Sequence, residues 1–110
     1  MVCKPLLNGK YLVSDTGVVR LARRATPLKW YLAKHGYPEV GLSINGRKIN
    51  KRVHRLVALA FLGPCPADHE VNHKDGNKAN PALANLEYVT RPDNFRHAMA
   101  LGLLPAGVTH

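Results

Sequence analysis

This 110-residue chain has no long apolar run and no cysteine framework. No stretch approaches the roughly 18 apolar residues of a membrane-spanning helix, and "MVCKPLLNGK" lacks the apolar centre of a secretory signal. Cys3 and Cys65 stand far apart and form no CxxC pair. A four-cysteine structural zinc site is thereby excluded, and a disulfide has little support. A calcium loop is missing as well. With Gly76 as the sixth position of an EF-hand loop, Val71 falls at the first and Ala82 at the twelfth, where oxygen ligands are needed. There is no internal repeat and no low-complexity tract. These absences lead to the expectation of one small domain with a modest core in a reducing cytoplasm.

Acidic residues are the other scarcity, seven against sixteen Lys and Arg, for a net charge of +9. Twelve of the sixteen bases but only two of the acids, Asp15 and Glu39, lie in residues 1–55. Such a basic first half favours a polyanion, because neutralising phosphates releases their bound counterions. The second half is nearly neutral and must do something other than clamp phosphate.

Turn residues divide the first half. "YLVSDTGVVRL" reads as two short strands around Asp15-Thr16-Gly17. "ARRATPLKWYLAKHG", broken by Pro27, reads as a basic irregular excursion with Trp30 outward. "YPEVGLSI" and "RKINKRV" flank Asn45-Gly46, the strongest short hairpin signal. A two-residue loop pairs Ile44 with Arg47, Leu42 with Ile49 and Val40 with Lys51, which predicts a core-like face shared by Leu42 and Ile49. Ser43 with Lys48, Gly41 with Asn50, and Glu39 with Arg52 occupy the opposite, basic face, suited to a phosphate backbone.

"VHRLVALAFLG" predicts a helix with Leu56, Leu59, Ala60 and Leu62 inward, stopped at Gly63-Pro64. Val71 opens a strand, answered by "LEYVT" at Leu86–Thr90. The intervening "KDGNKANPALAN" is too long for a tight hairpin and predicts an ordered Ω-type loop pinned by its own Asn and Asp side chains. Thr90 caps a last helix from about Arg91 to Leu101, with Gly102 after it and a loosely held tail over 103–110. Leu56, Leu59, Phe61, Leu86, Val89 and Leu101 are the expected core, and His35, His69 and His110 read as solvated.

Strand, Ω-loop, strand and helix together bring Asn72 and His73, at the end of the first strand, towards Asn94 in the first turn of the last helix. Two amide oxygens can share a hard divalent cation with water and phosphate oxygens. A neutral histidine beside them can take a proton from water near pH 7. Those parts suffice for metal-assisted phosphodiester hydrolysis.

At these residues the sequence resembles the HNH endonuclease family, with its ββα-metal fold, and within it the phage and homing-type proteins. The matching run is "VHRLVALAFLGPCPADHEVNHKDGNKANPALANLEYVTRPDNFRHA", residues 53–98, with His73, Asn85 and Asn94 as the motif members. The upstream "YLVSDTGVVR" is similar to the small β-rich module that often precedes it. The fold class this implies is α+β: a small antiparallel β module over 1–53 that binds DNA, then a preceding helix and a ββα-metal finger over 54–102. The resemblance implies that His73 is the general base and that Asn72 and Asn94 hold one Mg²⁺, Mn²⁺ or similar ion. Asn85 would hold the loop, and the products would carry 3′-hydroxyl and 5′-phosphate ends.

DNA would be the partner of a monomer or homodimer, in the host cytoplasm if the gene is a phage's. Arg23, Arg24, Lys48, Arg52, Arg55, Lys74 and Arg96 are the candidate DNA contacts. His54 is left between a core hydrogen bond and a DNA contact, and His97 is expected on the outer or DNA-facing side of the last helix. The position before the base is often Asp in this family and is Asn72 here, which predicts weaker attraction for the ion. Asp75 and Asp93 are the nearest acids in sequence that could compensate. The rival reading is a non-catalytic DNA-binding module on an HNH scaffold. A basic RNA-binding protein would explain the charge but not the His73–Asn85–Asn94 spacing.

Overall fold

A computed structural model describes residues 2–102, so the tail 103–110 lies outside the described residues. The architecture is α+β, three antiparallel sheets around one central helix. The first sheet is a meander of β1 (Cys3–Leu6), β2 (Tyr11–Ser14) and β3 (Val19–Leu21). The second holds β4 (Tyr31–Leu32), β5 (Pro38–Ile44) and β6 (Arg47–Arg52). Helix α1 (Val53–Leu62) leads to the two-stranded sheet of β7 (His69–His73) and β8 (Leu86–Thr90), and α2 (Arg91–Ala100) closes the fold.

The β5–β6 hairpin takes the expected register throughout, from Ile44 opposite Arg47 to Glu39 opposite Arg52. Asn45 and Gly46 both have positive φ, 51° and 78°, the conformation that a two-residue hairpin turn requires. Its predicted shared apolar face is only half present. Val40 and Leu42 on β5 are fully buried, whereas Ile49 opposite Leu42 is 38% exposed. β6 is an edge strand, and the core cluster stops at β5.

Helix α1 is rotated from the expected orientation. Val53, Leu56, Val57 and Ala58 are buried, while Leu59 and Leu62 are exposed. Val53 and Val57, one turn apart, direct the apolar stripe and carry Leu59 and Leu62 to the far side of a 3.6-residue repeat. Leu101 is also exposed, and Phe61 and Val89 are only half-buried, so the expected core list is corrected at these positions.

One apolar cluster unites Tyr11 and Val13 of the first sheet, Val40 and Leu42 of the second, α1, and Leu86 of β8. It therefore runs across the boundary expected near residue 53. Burying a side chain such as Leu42 contributes about 1.5–3 kcal/mol. Polar ties add direction to it. The Ser43 N–H donates to the Tyr11 hydroxyl at 2.8 Å, and the Leu83 N–H to the Asp15 carbonyl at 2.8 Å. Gly17, at φ +94°, lies so close to Pro81 that an added Cβ would stand 2.7 Å from its Cγ.

Candidate active site

β7 delivers Asn72 and His73, both buried, to the end of its sheet. The pairing with β8 sets Asn72 opposite Glu87 and His73 opposite Leu86. The Asn72 amide donates through Nδ2 to Glu87 Oε2 at 3.1 Å. After His73 the chain turns at Gly76 (φ +73°), where the Gly76 N–H donates to the His73 carbonyl.

The Ω-loop closes on Asn85, which a short 3₁₀ turn (Leu83–Asn85) brings back beside Asp75. Asn85 donates from Nδ2 to Asp75 Oδ1 (2.9 Å) and to the Asn80 carbonyl (3.1 Å), and its Oδ1 accepts the Asp75 N–H (2.9 Å). Asp75 also accepts from the Asn80 side chain and the Asn77 N–H, which together with Asn85 hold its carboxyl below the usual range. Asp75 is thus occupied within the loop.

Thr90 caps α2, its hydroxyl accepting the Asp93 N–H, and the first turn presents Asn94. Asn94 donates through Nδ2 to Glu70 Oε1 on β7, and Glu70 also faces Arg91 at 3.9 Å. Asp93 is engaged by Arg96 at 2.6 Å. The carboxylates that touch the two amides are therefore Glu87 and Glu70, not the expected Asp75 and Asp93. Each is reached through strand geometry: Glu87 is the cross-strand partner of Asn72, and Glu70 shares a β7 face with Asn72 because strand side chains alternate. That signal was available in the sequence.

Asn72, His73 and Asn94 line one cleft of about 170 Å³, together with Tyr37, Lys78 and His97. His97, expected on the outer or DNA-facing side of α2, lines this cleft. A second cleft of about 440 Å³ shares Tyr37, Val71 and Asn94 with the first, and is lined by Arg52, Arg55 and Arg91. Tyr37 has no local sequence signal. It arrives from the loop before β5, with the Arg52 guanidinium 4.5 Å and the Lys78 ammonium 5.4 Å from its ring centre.

His54, on the first turn of α1, is buried and meets His73 edge-on with ring centres 4.8 Å apart. Its Nδ1 has no hydrogen-bond partner, so no core hydrogen bond forms at that nitrogen, and His54 also borders the second cleft, where the expected alternative of a DNA contact lies. Burial, with the cationic form of His73, Arg55 and Arg52 adding to it, lowers its pKa to about 3. Burial likewise lowers His73, opposed by Asp75 and aided by Lys78. His73 Nε2 is the shut-in nitrogen, buried and unpartnered, which leaves Nδ1 as the nitrogen towards the cleft.

Of the candidate DNA contacts, Arg52 and Arg55 border the second cleft, and Arg52 is also 3.9 Å from Glu39. Lys74 is exposed at the start of the Ω-loop, and Arg96 is exposed but paired with Asp93. Arg23, Arg24 and Lys48 are exposed and border neither cleft.

The donor set suits a hard divalent ion. Both amide nitrogens are tied to glutamates, so the oxygen is the end of each amide left to coordinate, and hard cations take oxygen ligands. Among the described residues no three His, Cys, Asp or Glu side chains gather into a metal cage. Any ion here depends on these amides and on the substrate. Among the described residues no helix is long and apolar enough to cross a membrane.

A family model described as HNH endonuclease matches residues 51–96. The SPbeta prophage-derived protein YosQ of Bacillus subtilis, which carries an HNH homing endonuclease name, is 37% identical over 94% of this chain and 61% of its own length. The DNA endonuclease I-HmuI of Bacillus phage SP01 is 40% identical over 88% of this chain and 56% of its own. A solved structure titled for DNA binding and cleavage by I-HmuI superposes with a TM-score of 0.85, over 96% of this chain and 62% of that one, at 37% identity. The chain thus spans rather more than half the length of these relatives. Residues 51–96 thus match the HNH endonuclease family, and the fold is that of the I-HmuI structure.

Proposed function

We propose that this chain is a divalent-metal-dependent DNA endonuclease that hydrolyses phosphodiester bonds. The observation that carries the reading is the cleft lined by the His73 imidazole and by two amides whose oxygens are freed by glutamate anchors. Asn72 and Asn94 would hold one Mg²⁺ or Mn²⁺, which when bound supplies stabilisation of charge developing on the phosphate oxygens.

The protein's own part is positioning and proton transfer. His73 Nδ1 takes a proton from the attacking water as its oxygen forms a bond to phosphorus and the bond to the 3′ oxygen breaks. Its lowered pKa keeps the base unprotonated at neutral pH. Arg52, Arg55 and Arg91 border the adjoining cleft and would hold neighbouring phosphates, with the exposed Arg23, Arg24, Lys48 and Lys74 gripping duplex further off. Residues 1–53 would thus serve as the DNA-binding module and 54–102 as the nuclease.

Supercoiled plasmid incubated with Mg²⁺ or Mn²⁺, with and without EDTA, beside His73→Ala, tests the reading. Metal-dependent nicking by the wild type, lost in the variant while DNA binding is kept, is the expected result. A wild type that shifts DNA but never nicks it with any divalent ion would make the chain a binding module on a nuclease scaffold.

A further inference from the structure

Among the described residues that line the cleft with Asn72, His73 and Asn94, Lys78 is the only Lys or Arg. The adjoining cleft has Arg52, Arg55 and Arg91, but Arg52 faces Glu39 and Arg91 faces Glu70, each at 3.9 Å. Lys78 has neither an ion pair nor a hydrogen-bond acceptor for its ammonium among the described residues. Asp75, the nearest acid in sequence, has both oxygens engaged by Asn77, Asn80 and Asn85. Lys78 is thus an uncommitted charge beside the base.

Its place is nevertheless defined. The Lys78 stem passes over Gly36, its Cδ 4.0 Å from where a Cβ on that glycine would stand. Its ammonium lies 5.4 Å from the centre of the Tyr37 ring, within the range of cation–π attraction. Tyr37 is itself packed against the rings of His54 and His73, at 4.9 and 5.9 Å between centres. The side chain therefore crosses from the Ω-loop to the turn before β5 and rests on a ring that touches the base. Its charge opposes protonation of His73, in keeping with that closeness.

We infer that Lys78 is a catalytic residue, whose ammonium takes a non-bridging oxygen of the phosphate that water attacks beside His73. As the water oxygen bonds to phosphorus and the 3′ oxygen leaves, negative charge builds on the phosphoryl oxygens. A cation held in place beforehand stabilises that charge more than it stabilises bound DNA. Asn72 and Asn94 bring no charge, and the groups behind them are the anions Glu87 and Glu70, so Lys78 supplies this cleft's own positive charge towards a phosphate. Lysine suits the task as a compact point charge. It stays an ammonium throughout, since the proton from water goes to His73.

The catalytic role rests on the endonuclease reading, but the phosphate contact does not, and the two are measured separately. Affinity for a duplex oligonucleotide is first measured in EDTA over about 50 to 200 mM salt. Lys78→Met should make the slope of log K against log salt shallower by about 0.9, the share of one phosphate contact, and Lys78→Arg should keep the wild-type slope. An unchanged slope in Lys78→Met overturns the contact whether or not the protein cleaves DNA. Single-turnover nicking with Mn²⁺ is then followed at saturating protein. Lys78→Met should slow it roughly a hundred-fold at an unchanged melting temperature, with a much smaller change in the half-saturating concentration. Lys78→Arg should recover a good part of the rate. A Lys78→Met protein that needs more DNA-binding sites filled but nicks at the wild-type rate would make Lys78 an ordinary phosphate clamp and overturn the catalytic role. A wild type that never nicks removes the endonuclease reading and the catalytic role together, while the salt slope still decides the contact.

Discussion

Glu87 accepts the Asn72 amide at 3.1 Å across the β7–β8 ladder, so an anionic side chain already stands behind the position that many family members fill with Asp. Replacing Asn72 by Asp would set two carboxylates side by side in a half-buried place. Asn72→Asp alone should lower stability by about 1–3 kcal/mol at pH 7, since it removes a hydrogen bond and leaves like charges facing each other. The pair Asn72→Asp with Glu87→Gln should recover that stability and lower the Mn²⁺ concentration for half-maximal cleavage below that of the wild type. Thermal melts and Mn²⁺ titrations of the three proteins check both parts.

Stability should fall in acid through His54. Its folded-state pKa of about 3 lies below the ordinary 6.5, so below pH 6.5 the unfolded chain binds a proton that the folded one refuses. The contribution is fully present above 6.5, declines by about 1.4 kcal/mol per pH unit as pH falls, and stops changing below the folded value. Urea melts between pH 7 and 4 should show this slope, and His54→Phe should flatten it.

His73 sets the pH dependence of cleavage in the same direction. Burial lowers its pKa, so the base is unprotonated at neutral pH and the acid limb of kcat/KM should lie below pH 6.5. His73→Ala should reduce cleavage by roughly a hundred- to ten-thousand-fold. A wild-type profile that is already falling between pH 8 and 7 would contradict the assignment.

Asn85 holds the Ω-loop by three side-chain hydrogen bonds, two of them to Asp75. Asn85→Ala should cost about 2–4 kcal/mol, because each of the three bonds contributes about 1 kcal/mol. Lys74 and Lys78 flank the loop and are exposed, so trypsin should cut there much faster in the variant. Unchanged digestion and an unchanged melting temperature would remove the loop's dependence on this residue.

What could be read from the sequence was mostly local. Asn45-Gly46 dictated the β5–β6 register residue by residue, and Thr90 marked the start of α2 because a cap and a turn are written in adjacent positions. β1 carries no strand signal in the sequence, because Pro5 sits in an edge strand and only Leu6 of it is buried. The sequence pattern points Leu59 and Leu62 inward, while the direction of α1 is set by what Val53 and Val57 meet. Asn72, His73 and Asn94 do line one cleft, as strand, loop and helix order suggested. The meeting of Tyr37, His54 and His73 could not be read that way, since they come from three different elements and only the shared core brings them together.

Helix α2 carries Asn94 yet has no fully buried residue, and its ties to β7 include polar contacts made by Asn94 and Arg91 to Glu70. α1 by contrast is embedded in the core. An element with no fully buried side chain opens at a lower free energy than one embedded in the core. On warming, this chain should lose its chemistry before it loses its shape, and inactivation and denaturation should have two separate temperatures.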